Sequence, residues 1–299
     1  MKRLLFLPAA AILAAETSVF AQQLEPRAYS PAPVGMNFII VPYVYSTGSV
    51  VTDPSLPVQN VDARINTVSL GYLRTFSLFG RFASASVLLP YVWGTVSGDV
   101  FETHKTVTRS NIGDTQLRFV TNLLGGPALT AKEFASAPPA TTLGLSLVVS
   151  APTGQYDGTR LVNIGTNRWA FRPELGVSHP AGHWTLEAYG GAWFFTVNDD
   201  YFGGHVRSQA TILALQGHVA YTFLPGLWVA LDGTWYDGGQ STVDGVVNND
   251  RQKNVRVGVT AAVPLGRAQA LKFLWSRGAS VRFGQNFTNI GMAYQYRWF

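Results

Sequence analysis

The sequence predicts an all-β protein, a transmembrane antiparallel up-and-down β-barrel of about 12 strands behind a cleaved N-terminal signal peptide. Three observations predict it. The chain carries 13% aromatic residues, 30 glycines and only 13% charged residues, yet past its first segment no uncharged apolar run approaches the roughly 20 residues of a spanning helix. Its segments alternate apolar and polar residues with the period of a strand. Its connections alternate long and short, as in outer-membrane barrels, whose cell-surface loops exceed their periplasmic turns. A closed barrel is then the solution that pairs every backbone polar group between strands.

The first segment has the order of a secretory signal. Lys2 and Arg3 precede an apolar run over residues 4–15, and Val19-Phe20-Ala21 precede Gln22. The run is too short to span a bilayer, so cleavage is expected after Ala21, giving a signal peptide at 1–21. Losing Lys2, Arg3 and Glu16 changes the balance from 22 basic and 17 acidic residues to 20 and 16, a net charge of +4. So mild an excess predicts no nucleic-acid partner. With no cysteine, disulfides and thiolate metal sites are excluded. Neither His179 and His183, four apart but separated by Pro180 and Gly182, nor any other histidine has metal-ligand spacing. No cofactor is expected.

Residues 22–36 contain Pro26, Pro31 and Pro33, which oppose helix and ladder alike, and read as a periplasmic lead-in. The barrel is expected over residues 37–299. Strand one, 37–46, is apolar on both faces, so its inward face stays open. Strand two, 63–75, sets Val68, Leu70 and Tyr72 against Thr67, Ser69 and Gly71; after a short turn, strand three sets Ala85, Val87, Leu89, Tyr91 and Trp93 against Ser84, Ser86, Leu88, Pro90 and Gly94. Residues 97–111 read as a polar loop. In strand four Leu117 and Phe119 face out, and Asp114, Gln116, Arg118 and Asn122 face in. Residues 124–139 read equally as a short helical turn at the periplasmic rim or as plain loop.

Strand five alternates most cleanly, with Leu143, Leu145, Leu147 and Val149 outward. A turn-rich loop follows from Pro152 to Gly158. Strand six sends Trp169, Phe171, Leu175 and Val177 one way and Arg168, Arg172 and Glu174 the other. Strand seven, 183–197, is too aromatic for its faces to be assigned. Strand eight places Leu213, Leu215, Val219, Tyr221 and Phe223 opposite Gln216 and His218; strand nine places Leu227, Val229, Leu231 and Trp235 opposite Asp232 and Thr234. Residues 198–208 and 237–253 read as loops. Strand ten has an outward valine row from Val255 to Val263 with Arg256 inward, and Leu271, Phe273 and Trp275 mark strand eleven.

The closing strand repeats Ile290, Met292, Tyr294, Tyr296 and Trp298 on one face, with Phe299 out of phase. An aromatic residue at this end suits a membrane interface, and the strand is expected to engage the outer-membrane assembly machinery. Two aromatic belts are expected against membrane lipid, with Trp93, Trp169, Trp235 and Trp275 near the loops and Trp184, Tyr221, Phe223 and Trp298 near the turns.

Several stretches together resemble the outer-membrane β-barrel family associated with a MetA pathway of phenol degradation. They are residues 24–30 with 32–35, 89–94, 126–130, 151–156, 163–174 and 294–299, of which Asn163-Ile164-Gly165-Thr166-Asn167-Arg168-Trp169-Ala170-Phe171-Arg172-Pro173-Glu174 is the most specific. The resemblance implies an outer-membrane transporter of hydrophobic or aromatic compounds, and it brings no catalytic residues.

A barrel of this size has a lumen between the filled small barrels and the open porins. The inward rows supply Asp114, Gln116, Arg118, Arg168, Arg172, Glu174, Gln216, His218, Asp232 and Arg256 as candidates to line a path for a small-molecule solute. Opposite charges in a polar lumen also pair simply to be satisfied. The expected function is therefore an outer-membrane channel working by passive diffusion, and not an enzyme. One alternative is an outer-membrane lipid hydrolase, whose histidine base would come from His104, His179, His183, His205 or His218; no serine stands in a nucleophile-elbow sequence. The other is a plugged structural or adhesive barrel.

Overall fold

The computed structural model describes residues 24–51, 58–100 and 103–299. The expected signal peptide lies outside the described residues. The strands are β1 (Asn37–Val51), β2 (Val58–Leu78), β3 (Arg81–Val100), β4 (Thr103–Ile112), β5 (Thr115–Leu124), β6 (Thr142–Ala151), β7 (Ala170–Ala181), β8 (Trp184–Phe195), β9 (Asn198–Tyr201), β10 (His205–Gln209), β11 (Ile212–Leu224), β12 (Leu227–Gly238), β13 (Ser241–Val243), β14 (Val246–Val247), β15 (Gln252–Pro264), β16 (Gln269–Ser280) and β17 (Gly284–Trp298), with α1 (Ala131–Ser136) between β5 and β6. A 13-stranded sheet contains all of them except β9, β10, β13 and β14. Within it β4 hangs on β3, and the other 12 strands close on themselves because β2 pairs with both β1 and β3. The seam between β1 and β17 is antiparallel, with Ile39 opposite Tyr296 and Tyr43 opposite Met292.

Each spanning strand divides its residues between lipid and lumen. On β2 Leu70 and Tyr72 are exposed while Thr67 and Ser69 are buried; on β11 Leu213, Leu215 and Val219 are exposed while Gln216 and His218 are buried. Apolar side chains on the outer wall contact acyl chains instead of water, so their exposure carries no hydrophobic penalty. The undecided strand β1 turns Ile39, Val41 and Tyr43 outward. Its ladder to β2 skips from Ile40 to Tyr43, at the point where Pro42 has no amide to donate. On β8 Glu187, Tyr189 and Trp193 are buried and Trp184, Leu186 and Phe194 exposed.

The aromatic belts form as clusters on the outer wall. At the turn side Trp184 meets Tyr221 edge-on at 4.8 Å and Tyr221 meets Phe223 at 5.0 Å; at the loop side Trp93 gathers Tyr43 and Tyr91 at 6.3 and 6.1 Å. The tight turn from β2 to β3 uses Phe79 and Gly80 at φ 49° and 75°, the mirror-image turn that matches the twist of a hairpin.

Residues 47–62 and 277–287, also expected as loops, are shortened by strand residues, since β1 runs to Val51, β2 starts at Val58, β16 runs to Ser280 and β17 starts at Gly284; three further segments expected as loops contain strands of their own. Residues 97–100 continue β3 and 103–111 belong to β4, 198–208 contain the β9–β10 hairpin, and 237–253 contain β13 and β14. The last two pairs join as a four-stranded sheet of order β14-β13-β10-β9 beyond the barrel wall. These strands bury polar residues as well as apolar ones, Asn198, Arg207 and Ser241 beside Tyr201 and Val243, so they lack the alternation of apolar and polar residues that marks the spanning strands. The segment from 124 to 139 resolves in favour of a helical turn: Thr130 caps α1, accepting from Glu133 N while Glu133 Oε2 accepts from Thr130 N at 2.8 Å.

Candidate functional site

The lead-in turns into the barrel and crosses its lumen instead of remaining below the mouth. It is tied at the rim, where Val34 N donates to Leu129 O at 2.8 Å and Gly35 N to Thr75 O at 3.0 Å. Tyr29 is then fully buried against the wall. Its ring lies over Gly144 of β6 and Gly176 of β7, which face each other in register. A Cβ on either glycine would come within 2.1 Å of the ring, so the absence of side chains there makes the slot. Tyr189 closes it edge-on at 4.8 Å. The phenol oxygen reaches Ser146 Oγ at 2.9 Å and donates to Glu174 Oε1 at 3.0 Å.

The neighbouring lead-in residues bond to other strands. Arg27 N donates to Glu187 Oε2 at 2.6 Å, its side chain donates to Thr222, and its guanidinium lies 4.7 Å from the centroid of the Trp228 ring. Glu25 Oε2 accepts from Arg118 and, at 3.3 Å, from Arg172 Nη2. Leu24 packs beside Gly258 on β15. Residues 24–29 thus stretch from β6 and β7 to β15, on a different side of the wall.

The candidate residues fall into three groups. Arg118, Arg172, Glu174 and Gln216 belong to the belt around the lead-in; Gln216 Nε2 donates to Glu174 Oε2 at 3.1 Å, and Gln116 lies half-buried on the same strand as Arg118. His218, Asp232 and Arg256 occupy the β11–β15 side. There Asp232 joins His218 Nδ1 at 2.7 Å and accepts from Thr260 Oγ1 at 2.6 Å, while Arg256 Nη1 donates to Ser276 Oγ and Phe287 O at 3.2 and 3.0 Å. Asp114 and Arg168 hold loops at the upper mouth. Asp114 accepts from Gly154 N, Thr166 N and Thr166 Oγ1 at 2.9, 2.9 and 2.6 Å, and Arg168 Nη2 donates to Gln209 Oε1 at 2.6 Å.

That mouth is apolar. Val50, Val61, Ala63, Ile65, Val92, Val96 and Phe287 of the wall pack with Val162 and Ile164 of the loop between β6 and β7. β3 meets Arg118 at Ser86 and Ile65 at Gly94, so this patch lies further toward the loops than the charged belt.

Glu25, Arg27, Tyr29, Glu187, Tyr189 and Trp193 also contribute to the interior and were not among the sequence candidates. The alternation of Glu187 and Tyr189 with Leu186 and Ala188 is a usable signal. The alternation of Glu25, Arg27 and Tyr29 is one also, masked by three prolines that argue against a ladder.

Residues 42–296 match the family described as "Putative MetA-pathway of phenol degradation". No curated protein matches the sequence. Among solved structures, an outer membrane channel from Pseudomonas putida F1 is similar with a TM-score of 0.78 and 23% identity, covering 92% of this chain and 100% of that one. The β domain of the Bordetella autotransporter BrkA is similar at TM-score 0.53 and 13% identity, covering 88% and 99%. The transport unit of the autotransporter AIDA-I from Escherichia coli also gives TM-score 0.53, at 7% identity, covering 92% and 93%. At such identities these likenesses speak to the barrel fold.

Proposed function

The chain belongs to this phenol-degradation family, and from that premise we propose that it is an outer-membrane channel passing small hydrophobic or aromatic compounds by passive diffusion. The observation that carries the reading is the inner wall itself. An apolar mouth built from Ile65, Val92, Val96, Val162 and Ile164 would receive an uncharged ring without the cost of stripping water from polar groups. Beneath it, paired charges and the lead-in narrow the way. Asp114, Gln116, Arg118, Arg168, Arg172, Glu174, Gln216, His218, Asp232 and Arg256 would line or frame the path, with the lead-in as a stopper that moves.

The solute class is supported by the family and by this apolar mouth. The same reading includes export by a signal peptide removed after Ala21 and delivery to the assembly machinery through β17. Planar-bilayer recording of the refolded mature chain tests the channel. Discrete current steps that toluene or phenol reduces are expected; a protein that never conducts, whatever the solute, would overturn the reading.

A further inference from the structure

Glu25 presents one carboxylate oxygen to two arginines. Oε2 accepts from Arg118 and from Arg172 Nη2, so neither guanidinium uses the two-point fork by which arginine ordinarily grips a carboxylate. Arg118 Nε and Nη2 and Arg172 Nε and Nη1 are buried and find no acceptor among the described residues. Arg172 is 1% exposed, and its Nε stands 3.8 Å from Glu174 Oε2, beyond hydrogen-bond reach. Buried guanidinium donors without acceptors are costly and uncommon. Four of them gather here around Glu25, with Glu174 at ion-pair distance but accepting no hydrogen bond from them.

An aromatic wall adjoins them. The Arg172 guanidinium lies 5.2 Å from the centroid of the Trp193 ring, and Trp193 packs in one cluster with Val148 and Tyr236. The indole Nε1 also lacks an acceptor among the described residues. Donors for an anion therefore sit beside a buried aromatic ring that the Arg172 guanidinium overlies.

We propose that Arg118, Arg172 and Trp193 form a binding site for an aromatic carboxylate, in which the Glu25 side chain occupies the carboxylate position until a solute displaces it. The proposal rests on the channel reading and extends it to anionic solutes. A ring acid would place its carboxylate across both forks and its ring against Trp193 and Val148, satisfying donors that Glu25 leaves over. Displacing Glu25 would loosen one attachment of the lead-in at the same moment.

Benzoate binding, followed calorimetrically on the refolded mature protein in detergent, tests the site. Glu25→Ala and the isosteric Glu25→Gln remove the internal competitor and are expected to bind benzoate at least tenfold more tightly than the wild type. Adding Arg118→Met to either should abolish that gain, and acetate, lacking the ring, should bind more weakly than benzoate. The proposal is overturned if both Glu25 variants bind no better than the wild type, or if Arg118→Met leaves the gain intact. Current steps recorded on the same preparations with phenol judge the channel separately. Failure of benzoate with phenol-sensitive steps retained would remove the site alone, and silence in every recording would remove the channel.

Discussion

The phenol oxygen of Tyr29 donates to Glu174 Oε1 at 3.0 Å, joining the lead-in to β7 in the middle of a buried belt. Replacing Tyr29 with phenylalanine keeps the ring in its slot and removes the bonds to Glu174 and Ser146. With buried acceptors left unmet, a loss of about 1–3 kcal/mol is expected. Urea unfolding of the refolded barrel in detergent measures it, and an unchanged midpoint would show that the bonds hold nothing.

The slot beneath that ring gives a second prediction. A Cβ at position 176 would lie 2.1 Å from Tyr29 Cε2, closer than any contact a packed interior sustains. Gly176→Ala should therefore expel the lead-in while the strands keep their pairing. Trypsin, which meets Arg27 half-buried and held by β8, β11 and β12 in the wild type, should cut after it faster in the variant, and mass spectrometry would detect the cut.

Asp114 fastens the loop between β6 and β7 by accepting from three donors. Asp114→Ala frees the amides of Gly154 and Thr166. Their hydrogen exchange should accelerate by at least tenfold, while amides of β15 and β16, across the barrel, keep their rates.

Outside the membrane, Asp244 accepts from Val206 N at 2.8 Å and meets His205 Nδ1 at 2.5 Å. The Val206 amide bond, and after it the His205 side chain, hold the carboxyl below its usual 3.8. A depressed carboxyl contributes stability in full above its unfolded value and loses it as pH falls through the lowered folded value. The contact between β10 and the turn after β13 should then be constant above pH 4 and weaken below it. Exchange at the Val206 amide reads this directly, and Asp244→Asn should remove the pH dependence.

The barrel wall was legible because lipid and lumen impose opposite chemistries on alternate residues. The rows Leu213, Leu215 and Val219 against Gln216 and His218, or Ile290 and Met292 against Gly291 and Ala293, state the outcome directly. Strand β8 was obscure for a local reason. Trp193, Phe194 and Phe195 are consecutive aromatics, of which Trp193 covers Arg172 inside while Phe194 faces lipid, so residue type alone carries no alternation. Strand β4 was obscure for the opposite reason, since Thr103–Ile112 stands above the membrane with polar residues on both faces. The sequence showed which strands bear inward charge, but not the partner of Arg118 and Arg172. Glu25 is more than 90 residues away from either, in a proline-rich segment whose place inside the barrel depends on tertiary packing over Gly144 and Gly176.

Single-channel recording of the full mature chain beside the double variant Arg27→Ala/Tyr29→Ala tests most directly whether the lead-in stops a conducting path. Small, infrequent steps are expected for the wild type, and larger, longer openings once the Arg27 side chain no longer holds Thr222 and Trp228 and Tyr29 no longer reaches Glu174. Equal conductance and open time in both proteins would contradict it.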